Sequence, residues 1–590
     1  MIERINPNTK RLLLVWLFLF FTSIALGVRV YYLQFVEAER LQDRAKIQQK
    51  LTIESYVPRR SIIDAQGEVL ATDRLVYELY VHPYLFKKPE ETVDKPEETV
   101  AKKLAEVLDN RSESELVTRF QQQDSGIRLE DNLREEVAAE IKSWGLNGID
   151  LLEKYARYYP YEELGANVVG YVQKDNHQGK TGVEFTKQER LTRIGESLSV
   201  ERTARGGVLP ASLPKNAIAF DEKQLQLTLN LDLQRLSHQA LKKQMQEFNA
   251  KRGTVVVMDV ETGELVSLVT EPSYDPNRYF NYDLEEMRNW AVTDLYEPGS
   301  TFKPINVAIA LEAGLIHPNT KVYDPGKMKV GGWTIRNHDY FSNGGHGKIG
   351  LEEILQVSSN VGMMKIMQRM RPEDYYDQLK KLELEQPVGI DLMGETPGHL
   401  KSEFEFTNYP IEPAVAAFGQ GFSLTPIKLA QLHGAIANGG RLVTPHVVKG
   451  LVDQEGAIVE PEKRAEKQVF SPQTSQKVLQ MMETVVSEGS GQVAQISGYR
   501  SAGKTGTAQK ANMGSYRGNG KITSYVSIFP VETPHYVVLA VVDEPQKPLA
   551  YGSTVAAPIV RDVMEGLITI KGIPPTHPEE FEEEDDDGKS

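Results

Sequence analysis

The most pronounced hydrophobic pattern in the chain is an apolar run close to the N-terminus. Residues Leu12–Val28 form seventeen positions without a charged side chain, and Arg29 follows them. With Val30–Leu33 added and the Arg29 side chain extended toward the membrane surface, the run reaches the ~20 residues that span a bilayer. The pattern predicts a transmembrane anchor over residues 12–34, with residues 1–11 in the cytoplasm and the bulk of the chain outside the cell's inner (cytoplasmic) membrane, in the periplasm or its equivalent.

A cleaved signal peptide is the alternative interpretation, because Ser23 and Ala25 form a small-x-small pair that a signal peptidase accepts. The apolar run is, however, longer than the ~7 to 15 residues usual for the core of a signal peptide. Basic residues flank the run on both sides, but a long domain is translocated whatever its charge. We therefore expect a single-pass anchor that is retained.

The stretch from residue 35 to residue 219 is polar and lacks sustained apolar periodicity. Within it, the sequence KPEETV at Lys88–Val93 recurs at Lys95–Val100. Its Pro and Glu content predicts a solvated insertion rather than part of a core. Because denser apolar periodicity begins near Leu225, we interpret residues 35–219 as a separate N-terminal module.

Alternating apolar positions predict strands at both ends of residues 220–573. Thr254–Asp259 and Glu264–Val269 flank a short turn and predict a hairpin. Three further strands are predicted near the far end, at Arg500–Thr507, Thr523–Phe529 and Tyr536–Val542. Helical patterns fill the sequence between them. This order predicts an α/β (α+β) domain in which helices cover one mostly antiparallel five-stranded sheet.

Composition and charge narrow the function classes. The 590 residues include no Cys, which excludes disulfides, thiolate catalysis and Cys-ligated metal sites, and the formal net charge of −15 argues against nucleic acid as a partner. Residues Glu579–Ser590 hold eight acidic residues, so we predict a disordered acidic tail over residues 574–590.

The patterns of several hydrolase classes are absent from the sequence. There is no HExxH, no GxSxG and no His cluster with metal-ligand spacing, so we expect neither a metal nor a cofactor. Ser-x-x-Lys does occur, and on a helix it places a hydroxyl and an amine on one face. Such a Lys can activate the Ser if its pKa is lowered. The pattern occurs three times, at Ser212/Lys215, Ser300/Lys303 and Ser501/Lys504.

Local context favours Ser300 among the three. Pro214 disrupts a helix at Ser212, and Ser501 lies on a predicted strand, where positions i and i+3 point to opposite faces. Ser300 opens the apolar stretch that begins at Ile305, and Pro304 is tolerated only in a first helical turn. The sequence thus predicts a helix start near Ser300, where developing negative charge is stabilised.

Two further patterns follow Ser300 in the chain. Ser358-Ser359-Asn360 lies between two predicted helices, and Lys504-Thr505-Gly506-Thr507 lies on a predicted strand. A second Lys-Thr-Gly, at Lys180, precedes the other patterns. The ordered set SxxK, SxN and KTGT is the signature of penicillin-recognising serine acyltransferases.

With these motifs in place, the chain resembles the class B penicillin-binding proteins over nearly its whole length. YEPGSTFKP (296–304), SSNVG (358–362) and AGKTGTAQ (502–509) are similar to the family's three motifs. PRRSIIDAQGEVLA (58–71) resembles a family segment of the N-terminal module, with Arg60 in place of its Gly. The resemblance implies the penicillin-binding transpeptidase fold over residues 220–573, an elongated mixed N-terminal pedestal (dimerisation-type) module over residues 35–219, and one transmembrane helix.

The resemblance also implies a reaction, the cross-linking of peptidoglycan stem peptides by D,D-transpeptidation. Lys303 would take the proton of Ser300, which attacks the penultimate D-Ala and releases the terminal D-Ala. Ser358 would relay a proton to the leaving amine, and Asn360 would hold Lys303 and the substrate amide. β-Lactams would acylate the same serine.

The third motif would supply the remaining groups. Lys504 would raise the local positive potential, while Thr505, Gly506 and Thr507 bind the substrate's terminal carboxylate region. Backbone N–H groups of Ser300 and Thr507 would form the oxyanion hole.

The pair Ser-Asn after Ser358 resembles the division-type, septal branch rather than the elongation type. Residues 35–220 carry no glycosyltransferase motif, so the resemblance implies a partner glycosyltransferase of the shape, elongation, division and sporulation (SEDS) family, and other divisome proteins. An elongation-type transpeptidase, a β-lactamase, a β-lactam sensor and a non-catalytic cell-wall scaffold remain alternatives.

A nucleotide-binding function is the alternative from another class. Gly498–Thr505 satisfies the P-loop pattern, and Val537–Glu544 looks like an apolar strand that ends in a magnesium-binding Asp, Asp543. A P-loop must open a helix. Because Gly506 and further glycines follow, we expect no helix there and no ATPase.

Overall fold

In the computed structural model, the described residues are 7–54, 57–86, 96–108, 111–193, 197–201, 221–461, 464–510 and 520–578. They divide into two compact units, one formed by residues 1–58 with 193–221 and the other by residues 59–192 with 222–590.

The described helices are α1 (Pro7–Tyr31), α2 (Ala38–Gln49), α3 (Pro96–Val107), α4 (Glu113–Gln122), α5 (Glu135–Ser143), α6 (Ala166–Val169), α7 (Gly182–Thr186), α8 (Gln188–Leu191), α9 (Leu231–Phe248), α10 (Trp290–Thr293), α11 (Lys303–Glu312), α12 (Tyr340–Asn343), α13 (Leu351–Gln356), α14 (Asn360–Met367), α15 (Pro372–Lys381), α16 (Glu403–Asn408), α17 (Ile411–Ala416), α18 (Pro426–Ala437), α19 (Pro472–Ser487) and α20 (Ala557–Lys571).

The described strands are β1 (Lys50–Glu54), β2 (Ile62–Ile63), β3 (Val69–Val81), β4 (Ile127–Leu133), β5 (Ile149–Tyr158), β6 (Ser197–Glu201), β7 (Gln224–Leu227), β8 (Arg252–Asp259), β9 (Leu265–Glu271), β10 (Lys321–Asp324), β11 (Lys327–Val330), β12 (Trp333–Arg336), β13 (Gly347–Gly350), β14 (Arg441–Val443), β15 (Val448–Val452), β16 (Ile458–Pro461), β17 (Glu466–Gln468), β18 (Ala502–Gln509), β19 (Lys521–Phe529) and β20 (Tyr536–Asp543).

The first unit contains the predicted anchor. A continuous helical segment over Arg11–Val36 has a mean hydropathy of 2.2 and none of it is buried, and it is the one helix in the described part of the chain long and apolar enough to cross a membrane. Beyond it, β1 and β6 pair antiparallel, with Lys50 opposite Glu201. The apolar helix is thus confirmed, and its orientation stays a prediction.

The N-terminal module is built around the long strand β3, which pairs antiparallel with both β4 and β5. Helices α3, α4 and α5 cover it, and their apolar side chains form a separate core with Leu79 and Val81. The expectation of a solvated KPEETV insertion is wrong for the second copy. Its residues 96–100 open α3, and Val100 is buried because it lies on the apolar face of that helix. The first copy lies outside the described residues.

The module is joined to the following region through a shared sheet. Among the described residues the strand order is β16-β15-β7-β2-β3-β4, with β5 also paired to β3. Strands β2 and β7 are parallel, with Ile62 opposite Leu225. The strand that begins just after residue 220 is therefore part of the sheet that carries the N-terminal module.

A buried ionic network fixes the base of this module. Arg59 Nε and Arg157 Nε donate to the two carboxylate oxygens of Glu184 at 2.7 and 2.6 Å, and Arg157 also reaches Asp73 at 3.0 Å. Although burial disfavours its charge, Glu184 and then Asp73 hold the pKa of Arg157 above its usual value. The network ties β3, β5 and α7 together, and its side chains are almost completely shielded from water.

The second large sheet is the one predicted from both ends of the domain. The described strands run in the order β18-β19-β20-β8-β9, all antiparallel. The five predicted strands are confirmed with end shifts of at most two residues; the strand predicted at Arg500–Thr507, for example, spans Ala502–Gln509. This confirms an antiparallel sheet, and β18 lies at its edge.

Helices cover both faces of this sheet because its strands alternate between two apolar cores. Val255 and Val257 pack with residues of α9 and α20, whereas Val256 and Met258 pack with the larger core that contains Ile427 of α18. Burial on both faces explains why these strands are nearly continuous apolar runs. The sheet is a rigid support for the segments that precede and follow it.

Replacing Glu184 tests the buried network. In Glu184→Ala the buried guanidinium groups of Arg59 and Arg157 lose the carboxylate that they share, and breaking a buried ionic pair in this way costs about 3 to 5 kcal/mol. We expect a correspondingly lower free energy of unfolding, measured by denaturant titration of the full-length protein in detergent. The matched control is Asp374→Ala, which removes the solvent-exposed pair with Arg371 and should change stability little. If the free energy of unfolding fell by the same small amount in both variants, the buried network would not have the stabilising role assigned to it.

Candidate active site

The predicted nucleophile lies in a short turn that leads into a buried helix. Ser300 is half-buried in the 3₁₀ turn Gly299–Phe302, and α11 begins at Lys303 with Pro304 in its first turn. The helix was expected to start near Ser300, and in the structure it starts three residues later, at Lys303. The chain departs from the α-helix here because Gly299 has a φ of +57°, which favours glycine.

Contacts from the domain interior fix this turn. A Cβ at Gly419 would lie 2.1 Å from the Gly299 carbonyl oxygen, so only glycine fits there. The Nε2 of His433 donates to the Thr301 carbonyl at 2.9 Å. Burial lowers the pKa of His433 to about 4, so this histidine is neutral at physiological pH and acts as a hydrogen-bond donor.

Lys303 is fully buried and is held by the second motif. Its Nζ donates to the Ser358 carbonyl at 2.5 Å and to Asn360 Oδ1 at 2.9 Å, and it lies 3.1 Å from Ser358 Oγ. Burial, followed by the positive charge of Lys504, holds the pKa of Lys303 well below its usual value, against the opposing effect of the Asp324 and Asp339 carboxylates. The first two motifs therefore meet as predicted, with an amine that can be a free base.

Ser358 is placed between two amines. Lys303 Nζ and Lys504 Nζ lie 3.1 and 3.0 Å from its Oγ. Ser358 has a φ of +54°, a left-handed conformation that is rare for residues other than glycine. Strain of this kind costs about 1 to 3 kcal/mol and persists only where the surroundings enforce it. The hydroxyl between two amines can pass a proton from one group to the next.

The third motif lies on the edge strand β18 beside the nucleophile turn. Lys504 is fully buried, and burial lowers its pKa to about 7. A Cβ at Gly506 would lie 2.4 Å from Ser524 Oγ and 2.9 Å from Thr301 Cγ2, so glycine lets the strand approach the turn closely. Thr507 is exposed, and its Oγ1 accepts the Gly552 N–H at 3.0 Å. Thr505 Oγ1 lies 3.0 Å from the Ser490 hydroxyl.

Three residues outside the predicted site position the second motif. The buried Asp324 carboxylate accepts Ser359 Oγ–H at 2.6 Å and Asn337 Nδ2–H at 2.7 Å. Asn337 Oδ1 accepts the backbone N–H of Asn360 at 2.9 Å. Ser359 caps α14 by accepting the Gly362 N–H. A serine before an apolar helix is a recognisable N-cap in sequence, whereas nothing in the sequence marks Asp324 or Asn337.

The other sequence matches lie elsewhere. Ser501 precedes β18, Ser212 lies outside the described residues, and the second Lys-Thr-Gly opens the short helix α7 at Gly182. Lys504 lies within β18, which continues to Gln509, so the P-loop alternative is wrong because a strand and not a helix directly follows the pattern. Asp543, its supposed magnesium ligand, pairs instead with Arg252 at 2.9 Å and Lys510 at 3.0 Å. In the described ranges no group of three or more His, Asp or Glu side chains is arranged to hold a metal.

Comparisons with known proteins agree with this geometry. The model of the penicillin binding protein transpeptidase domain matches residues 253–565, and that of the penicillin-binding protein dimerisation domain matches residues 54–204. The chain is 40% identical to the peptidoglycan D,D-transpeptidase FtsI homolog of Mesostigma viride, over 96% of this chain and 97% of that protein. It is 33% identical to stage V sporulation protein D of Bacillus subtilis, over 96% of this chain and 86% of that protein.

A solved structure shows the same fold. Penicillin binding protein 3 of Mycobacterium tuberculosis, complexed with aztreonam, superposes with a TM-score of 0.64 at 24% identity, over 88% of this chain and 98% of that chain.

The lowered pKa of Lys303 predicts a pH dependence for acylation of Ser300 by a β-lactam. The rate should rise with pH as Lys303 loses its proton, and the midpoint should lie well below 10.5. The Lys504→Ala substitution removes a nearby positive charge, so the pKa of Lys303 should rise. The midpoint of the pH–rate profile should therefore move to higher pH, and acylation should be slower. The pH–rate profiles of the wild-type protein and of Lys504→Ala can be measured by stopped-flow fluorescence with a fluorescent penicillin.

Ser501→Ala is the control, because Ser501 belongs to a Ser-x-x-Lys pattern that takes no part in the array. It should keep the wild-type midpoint. A midpoint that does not move in Lys504→Ala would contradict the electrostatic coupling of the two lysines.

Proposed function

The chain belongs to the penicillin-binding protein transpeptidase family, as a class B member, and we propose that it cross-links peptidoglycan stem peptides through an acyl-enzyme on Ser300. The observation that carries the proposal is the continuous array in which Ser358 lies between the amines of Lys303 and Lys504 beside the nucleophile turn. Two amines with lowered pKa values around one hydroxyl are suited to proton transfer near neutral pH.

In acylation, the neutral amine of Lys303 takes the proton of the Ser300 hydroxyl, and Oγ attacks the carbonyl of the penultimate D-Ala. The resulting oxyanion accepts hydrogen bonds from the backbone N–H groups of Ser300 and Thr507. The loss of one such donor typically costs about 2.7 to 4 kcal/mol in the transition state. Collapse breaks the peptide bond, and Lys303 returns its proton through Ser358 to the departing D-Ala amine.

Transfer follows the same path in reverse. The amine of a second stem peptide attacks the ester carbon and gives its proton, through Ser358 and Lys303, to the Ser300 oxygen as the ester breaks. Asn360 keeps Lys303 in place through its Oδ1 and contacts the substrate amide. The positions of Thr505 and Thr507, two residues apart on β18, support their role with Gly506 in binding the terminal carboxylate, because such residues share a face.

The apolar helix α1 supports anchoring in the cytoplasmic membrane, with the N-terminus in the cytoplasm and both modules outside. The similarity to proteins named FtsI homolog and the Ser-Asn pair of the second motif support a septal role at division. Since the N-terminal module carries no glycosyltransferase motif, strand polymerisation falls to a partner, which we propose is a SEDS-family glycosyltransferase within the divisome.

Labelling with a fluorescent penicillin tests the acyl-enzyme. A long-lived adduct should map to Ser300 by mass spectrometry, disappear in Ser300→Ala and persist in the control Ser501→Ala. β-Lactams trap a transpeptidase because no acceptor amine reaches the ester. Rapid release of hydrolysed penicillin would indicate a β-lactamase instead, and no adduct at all would indicate a non-catalytic scaffold.

Depletion of the protein in its own cells tests the septal role. Loss of septal cross-linking should block division while growth continues, so the expected phenotype is undivided, enlarged or filamentous cells seen by microscopy. Complementation by the wild-type chain but not by Ser300→Ala would tie the phenotype to catalysis. Loss of cell shape with normal septa would contradict the septal proposal and favour an elongation role.

A further inference from the structure

A small lobe beside the active site differs in charge from the rest of this acidic protein. The lobe spans residues 321–350 and contains the antiparallel pairs β10–β13 and β11–β12. Its five cationic side chains outnumber its two carboxylates, so its net charge is 5 − 2 = +3, whereas the whole chain carries −15. The cationic residues are Lys321, Lys327, Lys329, Arg336 and Lys348, and all are exposed.

Neither of the two carboxylates of the lobe neutralises these cations. Asp324 is buried in the network below the second motif, and Asp339 pairs with His346 at 3.1 Å. None of the five cations forms an ion pair with a carboxylate in the described part of the chain. Lys327 and Arg336 even lie directly opposite each other in the β11–β12 pair, where like charges are destabilising. Such an arrangement is costly unless an anion binds it.

Exposed aromatic rings lie on the same lobe. Tyr323, Trp333 and Phe341 are 66, 68 and 87% exposed, an amount of apolar surface that in soluble proteins marks interaction sites. Arg336 Cζ lies 5.6 Å from the centroid of the Phe341 ring, so a cation and an exposed ring are neighbours. The surface therefore offers flat apolar rings interleaved with positive charges.

The lobe is connected directly to the catalytic residues. The Arg336 carbonyl accepts Asn360 Nδ2–H at 3.0 Å, and the adjacent Asn337 accepts the Asn360 backbone N–H. A ligand on the lobe would thus lie against the Ser-x-Asn side of the site. The chemistry expected there is a polymer that combines sugar rings, whose C–H faces pack on aromatic rings, with carboxylates that pair with cations.

We propose that the lobe of residues 321–350 binds the uncross-linked peptidoglycan strand, a proposal that rests on the proposed function. The sugar rings would pack on Trp333 and Phe341, and the carboxylates of the strand would pair with Lys327 and Arg336. A strand bears both chemical groups in alternation along its length. Penicillin is small and carries no saccharide, so it does not need this surface. The lobe therefore contributes to polymer binding and leaves acylation by β-lactams unaffected.

The experiment uses the full-length protein in nanodiscs of zwitterionic lipid, with soluble uncross-linked strands bearing stem peptides as the probe. A Ser300→Ala background prevents acyl transfer. The variants Lys327→Glu/Arg336→Glu and Trp333→Ser/Phe341→Ser should each weaken strand binding about tenfold or more, and the charge reversal should also reduce the salt dependence. Each change is on an exposed side chain, so the fold is retained.

Matched controls carry equivalent changes elsewhere. Lys102→Glu/Lys142→Glu reverses two exposed charges on α3 and α5, and Phe404→Ser removes a ring that is 68% exposed. Both should bind strands as the parent does. With Ser300 restored, Trp333→Ser/Phe341→Ser and both control variants should be acylated by penicillin at the parent rate.

Unchanged binding of peptidoglycan strands by the lobe variants would overturn the proposal. It would also be overturned if the lobe substitutions weakened binding to vesicles of anionic lipid but did not weaken binding to peptidoglycan strands. The proposed function and the proposal for the lobe are refuted by different results. Absence of a penicillin adduct in the parent refutes the proposed function, whereas normal acylation with lobe-independent strand binding refutes the lobe alone.

Discussion

The chemistry of this site depends on keeping one lysine amine out of water. Lys303 lies at the start of α11, where the helix is surrounded by the apolar core, and its three hydrogen-bond partners come from the segment around Ser358. A charged amine in such surroundings is unfavourable, so the neutral form that can accept a proton is populated at lower pH than in solution. Lys504 strengthens the effect from the opposite side through its positive charge.

The surrounding architecture holds these groups together at a cost in local stability. Three segments far apart in sequence meet at the edge of the five-stranded sheet, and close approach is possible because Gly506 and Gly419 have no side chain to interfere. Ser358 is held in a left-handed conformation, and two buried amines give up hydration. The apolar layers on both sides of the sheet, and the network of Asp324 and Asn337 below the second motif, provide the rigidity that maintains this arrangement.

Much of the fold and site was predictable because its signals are local. The strands of the catalytic sheet alternate or run as apolar stretches, and Pro304 requires a first turn close to Ser300. The roles of the three motifs followed from their order and from the resemblance to known proteins. The solvated interpretation of KPEETV was wrong because composition alone does not reveal that Val100 falls on the buried face of a helix. Asp324 and Asn337 could not be found because each is an ordinary polar residue in a stretch that carries no recognisable motif.

The sequence by itself determined the long apolar N-terminal helix, the antiparallel sheet and the candidate reacting groups, because apolar period, turn residues and motif spacing act over a few neighbouring positions. Only the tertiary structure decided that Lys303 and Lys504 lie on either side of one hydroxyl and that both amines are buried. It also decided that the lobe of residues 321–350 reaches Asn360 through the Arg336 carbonyl. Burial and electrostatic coupling depend on distances between residues that lie 55 and 146 positions apart in the chain, and such distances exist only once the chain has packed.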